Sequence, residues 1–534
     1  MALYKILFLL TFIILSQVLY HVSAVNILAI VSLNIKSHYM AFQTLFRELA
    51  IRGHTVTVIN NFPEPNPSVN LKFINFNRTS ANMLPITNFE KFSSSFWHLY
   101  NFYNHFMGIG PSNVRKDCEL FFTNKDINAL REKRDQFDVI FVEEFMSDCA
   151  LVFAAVTYDA PIIGITSHTL LPWSYPRLGI PFNVGTNSFY FSPAGKNPSV
   201  FQKVESYIMN VYANSVGRWQ IQENILETFN KYLPNEVLDV EKIARERIKM
   251  MFVYQHHSIT GARLITPQIL DIAGIHIGKN KPVEGELEKF LSSATLGVVY
   301  VSFGSLLRAN TMSKNKIEQF LLAFKKIPQK VLWKVDNVTL PIDDDKILIS
   351  NWFPQLDILC HPKTVAFVSH GGMLSISEAA HCGKPLLTIP FFGDQFSNAA
   401  AVAESGLGST MQFDHINDES LIQAIKHLTS PEMQENAQRV SKLWHDRPIN
   451  VLDSAIYWTE YVARHKTAPP SVVLSTHDSW FQSSLIDVYS ILLGIIMLIL
   501  FVVYLFLKII ILVLKLFIGL CKSENKQKIN NKHE

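Results

Sequence analysis

From residue 25 the chain reads VNILAIVSL, a continuous apolar run of the kind that forms a strand buried on both faces. Phe42, Leu45, Phe46 and Leu49 then recur at i, i+3, i+4 and i+7, which predicts a helix over 39–51, closed by Gly53. Residues 54–59 (HTVTVI) are rich in β-branched side chains and predict the next strand. Strand, helix and strand in that order imply a parallel pair with a right-handed crossover. Residues 137–142 and 161–165 read as later strands of the same sheet, with a helix between them. Residues 60–120 and 170–250 are aromatic-rich and irregular, and read as insertions and helices lining a pocket. After a Lys/Pro/Glu-rich stretch at 279–288 (KNKPVEGELE), read as a linker, the pattern starts again. Strands are expected at 298–302, 331–335, 347–350, 364–369 and 385–390. Ile317, Phe320, Leu321 and Phe324 share one face of a helix over 313–327. The expected class is therefore α/β. Two doubly wound, Rossmann-like domains would face each other, with ligands at the carboxyl ends of their strands. No GxGxxG follows the first strand, so the dinucleotide fingerprint is absent.

The two ends follow a different pattern. Residues 1–24 carry Lys5, an apolar run over 6–20 and a small-residue Val22-Ser23-Ala24 site, and read as a signal peptide. Residues 488–507 contain no charge, and 20 residues at about 1.5 Å each span a hydrocarbon core of about 30 Å. Six lysines follow over 508–534, which by the positive-inside rule makes that tail cytoplasmic. These segments explain a charged fraction of only 17% in 534 residues. A net charge of +3 gives no reason to expect a nucleic-acid partner, and five cysteines exclude a disulfide scaffold. The expectation is a single-pass type I membrane protein. Residues 25–278 would form the N-terminal domain and 289–487 the C-terminal domain with its membrane-proximal segment. Asn77 and Asn337 head N-x-Thr glycosylation sites. Cys118, Cys149, Cys360 and Cys382 are free to pair, in combinations the spacing leaves open.

The densest chemistry lies in NWFPQLDILCHP and FVSHGGMLSISEAAHCGKPLLTIPFFGDQ, within 351–395. The strand expected at 364–369 ends at Ser369-His370, Gly371 and Gly372 allow close backbone approach, and a helix starts near Ser375. Free N–H groups and the positive helix end suit a diphosphate. Glu378, one turn in, suits two vicinal ribose hydroxyls. Asp394 and Gln395 pair an acceptor with an amide for sugar hydroxyls, and Trp352 offers a face for a base.

Residues 367–395 resemble the signature segment of the UDP-glycosyltransferases, and the similarity runs from the signal peptide to the tail. The microsomal, animal-type members, and among them the insect ones, look most similar. The resemblance implies a GT-B fold, no metal or other cofactor, and transfer of sugar from a UDP-sugar to a small lipophilic acceptor. It implies that Trp352 stacks the uracil, Gln355 holds the nucleoside, and Glu378 binds the ribose. His370, Gly372, Ser375, Ser305 and Arg263 would meet the diphosphate, and Asp394 and Gln395 the sugar. Leu374 stands where plant and vertebrate relatives commonly carry Asn. His38, just after the first strand, would be the catalytic base, oriented by an acid that is either Glu143 or Asp148. Asp343-Asp344-Asp345 matches a DxD metal motif but reads as a solvated turn.

One in-line displacement would invert the anomeric centre. UDP-glucose is favoured over UDP-glucuronic acid as donor, and a detoxification or conjugation role is expected. The alternative is a non-catalytic, membrane-anchored binder of lipophilic molecules. Residence in the endoplasmic reticulum membrane is expected, although Asn530 and Asn531 interrupt the dilysine signal of microsomal relatives. Homo-oligomerisation is left open.

Overall fold

A computed structural model of the chain describes residues 24–77, 89, 97–133, 136–185, 187–307, 311–335, 345–466, 479–483 and 485–530. The signal-peptide stretch 1–23, Asn337, Asp343 and Asp344 lie outside them. Up to Thr476 the chain forms one compact unit built on two sheets. The first holds seven parallel strands in the order β3-β2-β1-β4-β5-β6-β7, from β1 (Asn26–Val31), β2 (Thr55–Asn60), β3 (Leu71–Asn75), β4 (Val139–Glu143), β5 (Ile162–Thr166), β6 (Ile248–Val253) and β7 (Ile269–Asp271). The second holds six in the order β10-β9-β8-β11-β12-β13. These are β8 (Val298–Ser302), β9 (Lys330–Lys334), β10 (Ile347–Ser350), β11 (Thr364–Ser369), β12 (Leu386–Thr388) and β13 (Gly408–Thr410). β1, β4 and β8 are apolar runs because helices cover both of their faces.

In each sheet the strand order reverses once, between β1 and β4 and between β8 and β11. A crevice opens beyond the carboxyl ends of the strands at such a point. The helix Lys36–Ile51 buries Phe42, Leu45, Phe46 and Leu49, as the periodicity predicts. One apolar cluster runs from Ile27 and Phe141 through Ile272 to Val298 and Phe367, so the halves share a core. The irregular regions resolve largely into helices, among them Trp97–Phe106, Ile109–Thr123, Val200–Tyr212 and Arg218–Tyr232. The helix Gly285–Ser292 begins inside the stretch read as a linker.

A helix late in the chain, Val451–Arg464, packs back on Lys36–Ile51 and the first sheet. Arg52 Nη2 lies 2.5 Å from Asp453 Oδ1, and His54 Nε2 lies 3.2 Å from Glu460 Oε1. Two disulfides form, Cys118–Cys149 and Cys360–Cys382. The unit beginning at His477 contains a helix, Ile486–Asn530. Its apolar stretch, Ile486–Leu516, has a mean hydropathy of 3.1 over its best window and is long enough to cross a bilayer, extending beyond the expected 488–507.

Candidate active site

Both switch points open onto one cavity of about 460 Å3, a size usual for small-ligand sites. His38, Ser305, Trp352, Gln355, His370, Gly372, Ser375, Glu378, Asp394 and Gln395 line it. The sites expected from distant parts of the chain thus meet in one place.

On the N-terminal side, β1 ends at Val31 and the next helix starts at Lys36, which puts His38 in its first turn. His38 is buried, and its Nδ1 lies 2.5 Å from Oε1 of Glu143, the last residue of β4. Side chains alternate along a strand, so Glu143 shares a face with Phe141. That face is covered by the helix carrying His38, since the rings of Phe46 and Phe141 meet at 5.5 Å. Donation from Nδ1–H to the carboxylate leaves Nε2 as the nitrogen able to take a proton. Phe145 and His168 pack edge-on against the imidazole at 5.0 and 4.7 Å. Burial holds His168 well below the usual histidine range, with His38 and His105 adding to the effect, so it is neutral near pH 7. Around His38 the cavity wall is therefore largely aromatic and uncharged, with Lys36 as a charged exception.

Of the two acids expected beside His38, only Glu143 pairs with it. Asp148 accepts from Arg177 Nη1 and Nη2 at 3.0 and 2.8 Å, and also from Arg218. Burial would raise its pKa, but the two guanidinium groups hold it well below the carboxylate range. Glu144 joins this network through Arg177 and Ser174 at 2.9 and 2.8 Å. The physical reason is direction: Asp148 precedes the helix Cys149–Thr157, which packs in the apolar cluster of the opposite face.

On the C-terminal side, β11 delivers His370 to the second switch point. Gly371 has φ +84°, which favours glycine. Gly372 is needed for space, since a Cβ there would lie 2.5 Å from His370 Nε2. Gly304, with φ +78°, is needed on both counts, its Cβ falling 2.8 Å from the same ring. The imidazole is thus sandwiched by two backbone segments, and burial, with Lys334 nearby, lowers its pKa to about 4. The helix Met373–Cys382 starts beside it with no side-chain cap at Gly372, so its first N–H groups are available to an anion. Gln355 Nε2 donates to Ser375 Oγ at 3.1 Å and to Glu378 Oε2 at 2.7 Å, joining two of the expected nucleoside ligands to one expected at the diphosphate. Trp352 is 70% exposed, its ring open to stacking.

Asp394 follows β12 and is buried. Burial pushes its pKa up to about 6, against the hydrogen bond from Asn398 Nδ2 (2.7 Å) and the opposing effect of His38. Gln395 Oε1 accepts from the N–H groups of Phe391 and Phe392 at 2.9 and 3.2 Å. Its oxygen braces the loop, and its amide N–H groups are what it can offer a ligand.

Arg263 is not brought to the cavity. Gly261, at φ +74°, turns the chain after the short helix His257–Thr260, and Arg263 instead lies near Asp271, where it offsets a small part of the rise that burial gives that group's pKa. Two cations do line the cavity, Lys36 on the N-terminal side and Lys334 on the C-terminal side, and Lys334 Nζ also donates to Gly304 O at 2.7 Å. Sequence reasoning missed Lys334 and His168. Both stand at or just past the carboxyl end of a parallel strand, the criterion that located His38 and His370. Among the described residues no group of three or more His, Cys, Asp or Glu is arranged to hold a metal ion.

The UDPGT family model, described as UDP-glucoronosyl and UDP-glucosyl transferase, matches residues 27–523. UDP-glycosyltransferase UGT5 of Dactylopius coccus is 33% identical over 480 residues, 88% of this chain and 89% of that protein. UDP-glucuronosyltransferase 2B7 of Homo sapiens is 29% identical over 86% of this chain and 88% of its own length. Among solved structures, the calicheamicin glycosyltransferase CalG4 superposes with a TM-score of 0.55 at 16% identity, covering 84% of this chain and all of that one. The chain belongs to the UDP-glucuronosyl and UDP-glucosyl transferase family and has the GT-B fold. It is a glycosyl- or glucuronosyltransferase that takes its sugar from a UDP-sugar, with a C-terminal apolar helix suited to anchoring it in a membrane.

Proposed function

We propose that the protein transfers the sugar of a UDP-sugar, with inversion, to hydroxyl groups of small lipophilic acceptors. The observation that carries this reading is the His38–Glu143 pair opening onto the same cavity as the His370–Glu378 donor segment. His38 takes the acceptor proton at Nε2 while Glu143 stabilises the imidazolium that forms. The acceptor oxygen attacks the anomeric carbon in line as the bond to UDP breaks, which gives a β-glycoside from an α-linked donor. Trp352 stacks the uracil, and Gln355 and Glu378 hold the nucleoside. Developing charge on UDP is met by the N-terminus of the helix Met373–Cys382, by Ser305, and by Lys334, without a metal. Asp394 and the Gln395 amide hold the sugar.

UDP-glucose is the favoured donor, supported by likeness to UDP-glucosyltransferase 2 of Dactylopius coccus, 29% identical over 88% of this chain. The aromatic wall of Phe145, His168, Tyr190 and Phe191 suits apolar acceptors, and hence a conjugating or detoxifying role. Two disulfides and the exposed Asn77 support a lumenal catalytic unit in the endoplasmic reticulum, with a cytoplasmic basic tail. The test is turnover of the purified full chain with UDP-glucose and UDP-glucuronic acid against a panel of phenols. Conjugation of a phenol from UDP-glucose supports the reading. UDP binding without transfer from either donor would instead favour the non-catalytic binder.

A further inference from the structure

Glu378, the residue assigned to the ribose, does not stand alone. Its Oε1 lies 3.3 Å from His276 Nε2. His276 belongs to neither sheet. It lies between β7 and β8, on the segment joining the two domains, and no motif marks it. Its other ring nitrogen, Nδ1, is hydrogen-bonded to the hydroxyl of Tyr254, at the end of β6 in the N-terminal domain. Tyr254 in turn accepts from Gly274 N at 3.0 Å.

The Glu378 carboxylate can only accept, so His276 Nε2–H is the donor to it. In that tautomer Nδ1 is the acceptor for the Tyr254 hydroxyl, whose oxygen also accepts from Gly274 N–H. Burial raises the pKa of Tyr254, which keeps the phenol protonated and able to donate. The backbone around the ring is fixed as well. Thr44 Oγ1 donates to His276 O at 3.4 Å, and Arg447 Nη2 donates to Ala273 O at 2.8 Å. His276 and Glu378 have side chains only 7% and 14% exposed, so little water competes for this bond.

A carboxylate has about four lone-pair sites, so one taken by His276 and one by Gln355 leave two for a diol. The two protein donors fix the plane of the carboxylate, and with it the direction of the two free sites. We propose that His276 is a positioning residue for ribose recognition, that Tyr254 sets its tautomer, and that the interdomain segment therefore holds Glu378 oriented toward the two ribose hydroxyls. The proposal rests on the donor-site reading given above and names a specificity element within it.

The test is a cycle between protein and ligand, measured by calorimetric titration of the full chain in detergent with UDP and with 2′,3′-dideoxy-UDP. The unmodified protein should bind UDP more tightly than the dideoxy analogue. His276→Ala should weaken UDP by about 10-fold, the scale of one hydrogen bond to a charged group, and leave the dideoxy analogue nearly unchanged. His276→Gln, which restores an N–H donor, should recover part of the loss. Tyr254→Phe should show the same pattern at smaller size, and it serves as the second variant should the histidine change impair folding. Equal weakening of both ligands by His276→Ala would mean a purely structural role and overturn the proposal, as would no weakening of either. Failure of the unmodified protein to bind UDP would overturn the donor-site reading itself.

Discussion

Glu143→Gln keeps the size and shape of the side chain and removes only its charge. As the general base, His38 becomes an imidazolium in the transition state, and that is when its pairing with Glu143 counts most. A charge pair about 4 Å apart at an effective dielectric of about 20 is worth about 4 kcal/mol. At about 1.36 kcal/mol per decade, that is a loss of about 10³ in the rate of transfer. UDP affinity should not change, because Glu143 lies on the N-terminal sheet, away from the nucleoside ligands. Asp148→Asn provides the contrast. It breaks a buried network with Arg177 and Arg218, and should cost about 3–5 kcal/mol of stability. The Asp148→Asn molecules that remain folded should turn over at nearly the normal rate. The assay is single-turnover transfer from UDP-glucose to a phenol, with thermal unfolding and UDP titration alongside. In the His38→Ala background Glu143→Gln should add little, as for residues that act as a unit. A Glu143→Gln enzyme within about threefold of normal, beside a stable but inactive Asp148→Asn enzyme, would refute the assignment; the threefold bound is well inside the expected decades.

Three further outcomes follow from the donor side. Gly372→Ala places a methyl 2.5 Å from His370 Nε2, so the ring must turn, and kcat/KM should fall by about 10² with the fold intact. Lys334→Ala should weaken UDP by about 10-fold, whereas Arg263→Ala should leave UDP titrations unchanged, because only the first lines the cavity. Asp394 has a folded pKa of about 6 against the usual 3.8, so its ionisation opposes folding. That cost is absent below about pH 4, grows as pH rises, and is complete above about pH 6, where it amounts to about 3 kcal/mol. Asp394→Asn should therefore be more stable than the unmodified protein in denaturant titrations at pH 7.5, lose that advantage at pH 4, and transfer sugar poorly at both.

Most of the architecture was legible because β1, β4, β8 and β11 are long apolar runs that only a doubly covered parallel sheet accommodates. The strands β3, β6, β7 and β13 were not, β6 because it begins within the 170–250 stretch read as irregular. β3, β7 and β13 are sheet edges, where fewer apolar neighbours constrain the sequence. His38 and the 367–395 segment were legible because each combines a strand end with a helix start. The choice between Glu143 and Asp148 needed one more step. Period-two alternation puts Glu143 on the face of Phe141 and sends Glu144 to the other side, toward Arg177. His276 could not be read at all, since its partners Tyr254 and Glu378 are 22 and 102 residues away and no local pattern marks it. The return of Val451–Arg464 to the first sheet is equally a matter of tertiary packing. Its amphipathic pattern announces a buried face without naming the partner.

The central claim is that the chemistry resides in a base on one domain and donor binding in the other. Turnover and UDP affinity of His38→Ala, measured on the same preparation, test it most directly. General-base catalysis contributes about 10²–10⁴ in rate, so kcat for hydroxyl acceptors should fall on that scale while the Kd for UDP stays where it was. A His38→Ala enzyme that retains full turnover on hydroxyl acceptors would contradict the account.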